Sequence, residues 1–425
     1  MGAALALEEN NDYVGSLLVN MFREKVSKMK DSRMDEGQVS VGYSTGYLNF
    51  DFINGTIVYA KKDNVQLKYY SVGITDGSMV MVIGRAGCGK TTWVMEAAGN
   101  IIRPFKTSCI FHDDIEGGAT SVTRRAKLSK MTNDEMNTRY IYRNSGITIE
   151  SFYERAKMIH DMKVNNRDKF EYDTGLYDSY GNRIYKLEPT VMIMDSLAMI
   201  MPEKYTEEDE MSGQMSATAT ARANASMFRR LIPLLKSANI ILFVINHITE
   251  KIEGMVHTQA MTSYLKQGET LPGGRNPVYL SNNLIRMDDK EKLKETEGFG
   301  IAGSIIEMTL VKSRSNRAGQ SCRVVFDQSN GFDEELSLFL MLKQYGKVKG
   351  AGAFLYLGER SDIKFSQKAF KQKIHDNPEL MDVFMEEAIA LLQTIIPDVL
   401  EEESKSQKEN LSNNILNRMN GLMAA

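Results

Sequence analysis

Cysteine is nearly absent from this chain. Its 425 residues hold three, Cys88, Cys109 and Cys322, too few and too scattered for a disulfide framework or a zinc site. A reducing cytoplasm is the expected setting. Long apolar runs are also missing: no stretch approaches the roughly 20 residues that cross a bilayer, so no membrane partner is expected. The opening Met-Gly-Ala-Ala-Leu-Ala runs straight into Glu8 and Glu9. It has no basic flank, and Ala6 stands where a myristoylation signal wants Ser or Thr. An excess of charge of one sign is lacking too. Lys and Arg number 52 against 55 Asp and Glu, a net charge of −3. A global pull toward nucleic acid is thereby excluded, and any such site must be a local patch or the lining of loops.

What is present is an ordinary globular composition, 42% hydrophobic and 25% charged, in a chain long enough for two or three domains. The 27 methionines read as adaptable core packing. The sharpest motif is Gly84-Arg85-Ala86-Gly87-Cys88-Gly89-Lys90-Thr91, the pattern G-x-x-x-x-G-K-T. Its glycines let successive N–H groups point into one concavity that cradles phosphate oxygens. Lys90 is expected to reach the β- and γ-phosphates of a nucleotide, and the Thr91 hydroxyl to coordinate Mg²⁺. The loop follows an apolar run, Met79–Ile83, and precedes a helical stretch, Thr92 to Ala98, so the phosphates would lie at a helix N-terminus.

Short apolar runs alternate with helical patterns from about residue 45 to 335, which implies an α/β fold with a mostly parallel central sheet. The clear strands are Met79–Ile83, Ser108–His112, Val191–Met194, Ile240–Ile245 and Ile305–Val311. Ligands of such sheets bind beyond the carboxyl ends of the strands. Asp195 closes one strand and is a candidate for the Mg²⁺ hydration shell, or a helix N-cap. Asp113-Asp114-Ile115-Glu116 follows another; Glu116 is chosen to polarise the attacking water, with Asp113 and Asp114 as competitors. Asn246-His247 ends a third, and His247 is expected to sense the γ-phosphate. Lys312-Ser313-Arg314 follows the last; Lys312 and Arg314 would neutralise charge on the phosphates, or form a solvated basic turn.

Several segments flank this core. Residues 14–30 pattern as an amphipathic helix, with Leu17, Leu18, Met21, Phe22 and Val26 on one side, docked on a neighbouring subunit or on its own domain. The stretch Lys30 to Gln38 reads as a linker. Tyr59 to Tyr70 and Glu171 to Lys186 look like insertions, the second with hairpin turn chemistry. Pro378 to Val399 is apolar at helical spacing, and a charged tail begins at Glu401. The expected division is an N-terminal helical oligomerisation segment (1–44), an ATPase core (45–334), a small C-terminal α/β domain (335–400) and a tail (401–425).

Taken together, these pieces resemble the RecA/UvsX-like recombinase family, with a flavour of its bacteriophage branch, over about residues 40 to 395. Ser44-Thr45-Gly46-Tyr47-Leu48-Asn49-Phe50-Asp51 is similar to the family's STG-x-L-x-x-D, and Asp114-Ile115-Glu116 to its D-x-E. Asp195-Ser196 is similar to its aspartate–serine pair, and Lys312-Ser313-Arg314 to its Lys-Asn-Lys. Ala351-Gly352-Ala353-Phe354-Leu355-Tyr356 and Asp376-Asn377-Pro378-Glu379 resemble its C-terminal domain. The resemblance implies a RecA-type phosphate-loop ATPase core and a nucleotide site spanning Gly84 to Thr92 with Mg²⁺ at Thr91 and Asp195. It also implies that Lys312 and Arg314 act on the next subunit's ATP in a homo-oligomeric helical filament.

The same resemblance implies two DNA-binding loops, about Pro202 to Ala221 and Thr249 to Arg275. Arg222, Arg229, Gly273, Gly274 and Arg275 are the expected DNA contacts. The implied activity is DNA-dependent ATP hydrolysis that drives pairing and strand exchange between single-stranded and duplex DNA, with single-strand-binding and loader proteins as partners. A hexameric RecA-type helicase and a non-hydrolysing mediator are the alternatives.

Overall fold

The computed structural model describes residues 40–63, 65–118, 121–178, 181–205, 213–250 and 264–395. At its centre is a nine-stranded sheet. In chain order its strands are β1 (Met79–Gly84), β2 (Ile110–Asp114), β3 (Tyr140–Arg143), β4 (Thr190–Asp195), β5 (Ile240–His247), β6 (Asn283–Leu293), β7 (Gly303–Ser313), β8 (Ser321–Asp327) and β9 (Gly331–Asp333). The spatial order is β3-β2-β4-β5-β1-β6-β7-β8-β9. From β3 to β6 every neighbour is parallel, and β6 to β9 form an antiparallel meander. The sheet is therefore mixed and mostly parallel.

The parallel strands are continuous apolar runs because helices cover both faces. Every residue of β1 and β4 is buried. Successive side chains alternate between two apolar clusters. Val80 and Val82 join Trp93, Ile193, Phe243 and Phe339 on one face. Met79, Met81 and Ile83 join Phe152, Met192, Met194, Met227 and Phe228 on the other. Methionine is thus a principal filler of the second cluster, as its abundance suggests. The helices Ile149–Asn165 and Gly213–Ala238 pack together over that second face. The helix Pro378–Ile395 buries Leu380, Phe384, Met385, Ala388, Leu391 and Leu392, and these belong to the same cluster as Trp93. Phe370 links them to the core, with ring centroids 4.3 Å from Phe339 and 5.3 Å from Phe384.

Both suspected insertions are β-hairpins. One pairs Thr56–Lys62 with Val65–Ser71, the other Glu171–Tyr177 with Arg183–Leu187. They meet where the Lys61 N–H donates to the Asp178 carbonyl at 2.8 Å. The second is fixed to the rim where β5 begins by Asn239 Nδ2, which donates to the Leu187 carbonyl at 2.6 Å. The strand-end chemistry lies at the opposite rim.

Several boundaries differ from the sequence expectation: the strand expected at Ser108–His112 runs over Ile110–Asp114, and the one expected at Ile305–Val311 over Gly303–Ser313. The helix that follows the first expected DNA loop begins at Gly213, so residues 213–221 are helical rather than loop. The phosphate-loop helix runs over Lys90–Ile102, longer than the stretch Thr92 to Ala98. The N-terminal helix at 14–30, the acids at 207–210, most of the second loop and the tail lie outside the described residues. Among the described residues no helix is long and apolar enough to cross a membrane.

Candidate nucleotide-binding site

β1 ends at Gly84, which is paired in register with His247 of β5 on one side and Met287 of β6 on the other. Two glycines here are obligatory for different reasons. A Cβ on Gly84 would stand 2.6 Å from the Met287 carbonyl oxygen and 2.7 Å from Cys88 Sγ. Gly89 has φ +82° and lies against Phe332, where a Cβ would meet a ring carbon at 2.8 Å. Arg85, Ala86 and Gly87 form the exposed crest of the loop, Cys88 is buried, and Thr92 lies one residue beyond Thr91 on the helix. Lys90 opens that helix and is itself buried. Its Nζ donates to the carbonyls of Gly84 (3.0 Å) and Arg85 (2.8 Å). Burial pulls its pKa down, and Cys88, Asp195 and Glu116 oppose the shift.

Thr91 Oγ1, on the helix Lys90–Ile102, donates to Asp195 Oδ2 at the end of β4 at 2.7 Å. Burial raises the Asp195 carboxyl to about 6; the Thr91 hydrogen bond opposes this, while the charges of Glu116 and Asp114 add to it. Beyond β2 the chain folds over Asp195, whose carbonyl accepts the N–H groups of Ile115 (2.5 Å) and Glu116 (3.3 Å). Glu116 Oε1 then receives the Ser196 hydroxyl and contacts His247 Nε2 at 2.6 Å.

The three acids that compete in the sequence are thereby separated. Asp113 is buried against Arg155, with Arg143 at 3.7 Å, and burial raises its carboxyl to about 6. Asp114 accepts the Tyr142 hydroxyl at 2.6 Å and is buried. Glu116 is one-third exposed and faces His247.

Asn246 and His247 part company. Asn246 is fully buried; its Oδ1 accepts the His247 N–H (2.9 Å) and its Nδ2 donates to the Pro272 carbonyl (2.8 Å). Asn246 therefore ties the end of the second loop to β5. Gly273 (φ +87°) and Gly274 (φ +87°) follow at once, and Cβ atoms there would meet Leu197 at 2.8 Å and Ala221 at 3.2 Å. This packing brings Gly273, Gly274 and the exposed Arg275 beside the helix that carries Arg222. Arg222 and Arg229 are exposed, and their seven-residue separation puts both on one helix face. The sequence places Ser196 and Asn246 at strand ends but not their contacts, the Ser196 hydroxyl on Glu116 and the Asn246 amide on the Pro272 carbonyl.

Lys312 and Arg314 are not with the other site residues in this chain. Leu284↔Lys312 lies at the β6 end that begins beside Val80, not at the Gly84 end. There Lys312 Nζ donates to the carbonyls of Val278 (2.9 Å), Tyr279 (2.6 Å) and Ser281 (2.7 Å), and Arg314 to Tyr279 (3.1 Å). Burial first, and then Arg314, lower the Lys312 pKa to about 8.

Among the described residues no cluster of three or more acidic, His or Cys side chains encloses a metal position. Mg²⁺ keeps several waters and takes one or two protein oxygens beside those of a phosphate. Thr91 and Asp195 fit that donor set, and a cation would relieve the crowding of Asp195 by Glu116 and Asp114.

No family model matches the chain. Its sequence is similar to Protein RecA from two strains of Ureaplasma parvum serovar 3, in each case 24% identical over 190 residues. The match covers 45% of this chain and 53% of the relative. The chain thus spans about half the length of the curated relatives it matches.

Proposed function

We propose that this chain is a Mg²⁺- and DNA-dependent ATPase with a RecA-type core that assembles as a helical filament on single-stranded DNA. In this reading it promotes homologous pairing and strand exchange with duplex DNA. One observation carries the reading. Lys90, Thr91, Asp195, Glu116 and His247 converge at one rim of the sheet, and Asn246, beside His247, anchors the end of the segment bearing Gly273, Gly274 and Arg275.

The residues divide the work. Backbone N–H groups from Gly84 to Thr92 and the Lys90 ammonium hold phosphates. Thr91 and Asp195 hold Mg²⁺, which neutralises phosphate charge when bound. Glu116 takes the proton of the attacking water. His247, touching Glu116, registers the terminal phosphate, and the adjoining Asn246–Pro272 link carries that state to Gly273-Gly274-Arg275. Arg222, Arg229 and Arg275 supply the charge for a DNA backbone. Lys312 and Arg314, at the opposite rim, serve the neighbouring subunit's nucleotide. The N-terminal segment joins subunits, and residues 335–400 are the small C-terminal domain, docked on the core through Phe370. RecA-like similarity over 45% of the chain supports the same reading.

The test is electron microscopy of the full chain with single-stranded DNA and a slowly hydrolysed ATP analogue, paired with hydrolysis rates with and without DNA. Filaments and DNA-stimulated turnover are expected. Closed rings that unwind forked duplex would replace this reading with a helicase, and turnover indifferent to DNA would overturn it.

A further inference from the structure

Arg85 stands in the phosphate loop, yet its side chain points to the second loop. Its Nη2 lies 3.1 Å from Glu250 Oε1 and 3.8 Å from Glu269 Oε1. Those two acids face each other across the short ladder Thr249–Glu250 with Glu269–Thr270 that closes the root of the loop. The root is a firm platform. Glu269 is buried and takes both arms of Arg286, at 2.7 and 2.9 Å. Arg286 also holds Asp288 (2.8 and 3.0 Å) and the Tyr264 carbonyl (2.9 Å). Arg286 and Asp288 flank Met287, the residue in register with Gly84, so this platform abuts the start of the phosphate loop.

Arg85 differs from the rest of the network in its exposure, 61% of its side chain, and its partner Glu250 is 75% exposed. Its main chain is engaged as well, since the Arg85 carbonyl accepts Lys90 Nζ at 2.8 Å. An Arg fork pairs better with a phosphate than with one solvated carboxylate.

We propose that Arg85 is a positioning residue with two stations. Paired with Glu250 and Glu269 it pins the root of the second loop; with phosphates in the Gly84–Thr91 loop it turns to them and frees Glu250. The release passes along Glu269-Thr270-Leu271 to Pro272-Gly273-Gly274-Arg275. This path enters from the β6 side and is separate from the His247 contact on β5. It rests on the nucleotide and DNA sites of the reading above and specifies how they communicate. An exposed ion pair is worth up to about 1 kcal/mol, so the pin changes DNA affinity by at most about five-fold.

The experiment uses the full chain, a labelled oligothymidylate, and anisotropy titrations with ADP and with a slowly hydrolysed ATP analogue. Wild type should bind more tightly with the analogue. Glu250→Gln should raise affinity in ADP by about three- to five-fold, and by clearly more than it raises the analogue value, so the ratio shrinks. Glu250→Asp, which keeps the charge, should restore the ratio. Amide exchange of residues 264–270 should rise on adding analogue to wild type without DNA, and start high in Glu250→Gln. A nucleotide-dependent wild type with an unchanged ratio in Glu250→Gln overturns the Arg85 proposal alone. A wild type whose DNA affinity ignores nucleotide overturns the functional reading and this proposal with it.

Discussion

Replacing Glu116 by Gln tests the assignment of the base most directly. The side chain is one-third exposed and makes two polar contacts, with the Ser196 hydroxyl and with His247 Nε2 at 2.6 Å. The Gln carbonyl can accept from both, so the change removes a charge and a proton acceptor while keeping the shape. The fold should lose no more than about 0.5 kcal/mol. A positioned general base contributes about 10²- to 10⁴-fold, or roughly 3–5 kcal/mol of barrier. Phosphate release at saturating DNA should fall by that factor, and the affinity for a fluorescent nucleotide should stay within about three-fold, because the phosphate loop is untouched. Asp114→Asn is the control. Asp114 is buried and receives the Tyr142 hydroxyl at 2.6 Å, a contact that Asn retains, so turnover should fall less than about ten-fold. If Glu116→Gln keeps more than a tenth of wild-type turnover, or Asp114→Asn loses as much as Glu116→Gln, the assignment is wrong.

Arg314→Ala alone should lose turnover and regain part of it when mixed with Lys90→Ala protein, which donates its intact Arg314; hydrolysis rates of the mixture check this, and no rescue refutes a shared site. Arg222→Ala and Arg229→Ala should each weaken oligonucleotide binding irrespective of sequence and reduce the salt slope by about 0.7 per lost phosphate contact, measured by titration across salt concentrations. Glu96, fully buried under Phe332, has its carboxyl raised by burial from 4.5 to about 8. The folded state therefore holds this proton more tightly than the unfolded chain. That stabilisation is complete below about pH 4.5 and is lost as pH rises through about 8. Thermal melts from pH 6 to 9 should show a declining midpoint in wild type and a flatter profile in Glu96→Gln, a difference on the order of 1–3 kcal/mol.

The parts of the fold legible in the sequence were those in which one physical demand acts alone. β1, β4 and β5 are buried on both faces, so Met79–Ile83, Val191–Met194 and Ile240–Ile245 stand out as apolar runs. β6 escaped notice because it changes environment midway. Asn283–Met287 is buried, whereas Asp288-Asp289-Lys290-Glu291-Lys292 runs on past the end of β1 and pairs with β7 alone. β3 and β9 are too short to show a period, at four and three residues. Among the site residues, a strand-end position located Asp195, Glu116 and His247; Glu116 bridges the other two, its side chain on His247 and its N–H on the Asp195 carbonyl. It could not rank Asp113, Asp114 and Glu116, because that depends on Arg155, Tyr142 and His247, each distant in sequence. Nor could it show that Lys312 holds three carbonyl oxygens at the far rim, because antiparallel pairing of β7 with β6 sets that place.

The paired hairpins at 56–71 and 171–187 give the molecule a back door for engineering. The turn between Arg183 and Tyr177 is closed by the Asp178 N–H to the Asn182 carbonyl at 2.9 Å and by Asn182 N–H to Asp178 Oδ1 at 2.8 Å. It stands at the rim remote from Lys90 and Asp195. Doubling the length of such a loop costs only about 0.6 kcal/mol in closure entropy. A short tetracysteine tag grafted between Asp178 and Asn182 would therefore report on assembly from the rim that also carries Lys312 and Arg314, without loading the Lys90–Asp195 end of the sheet.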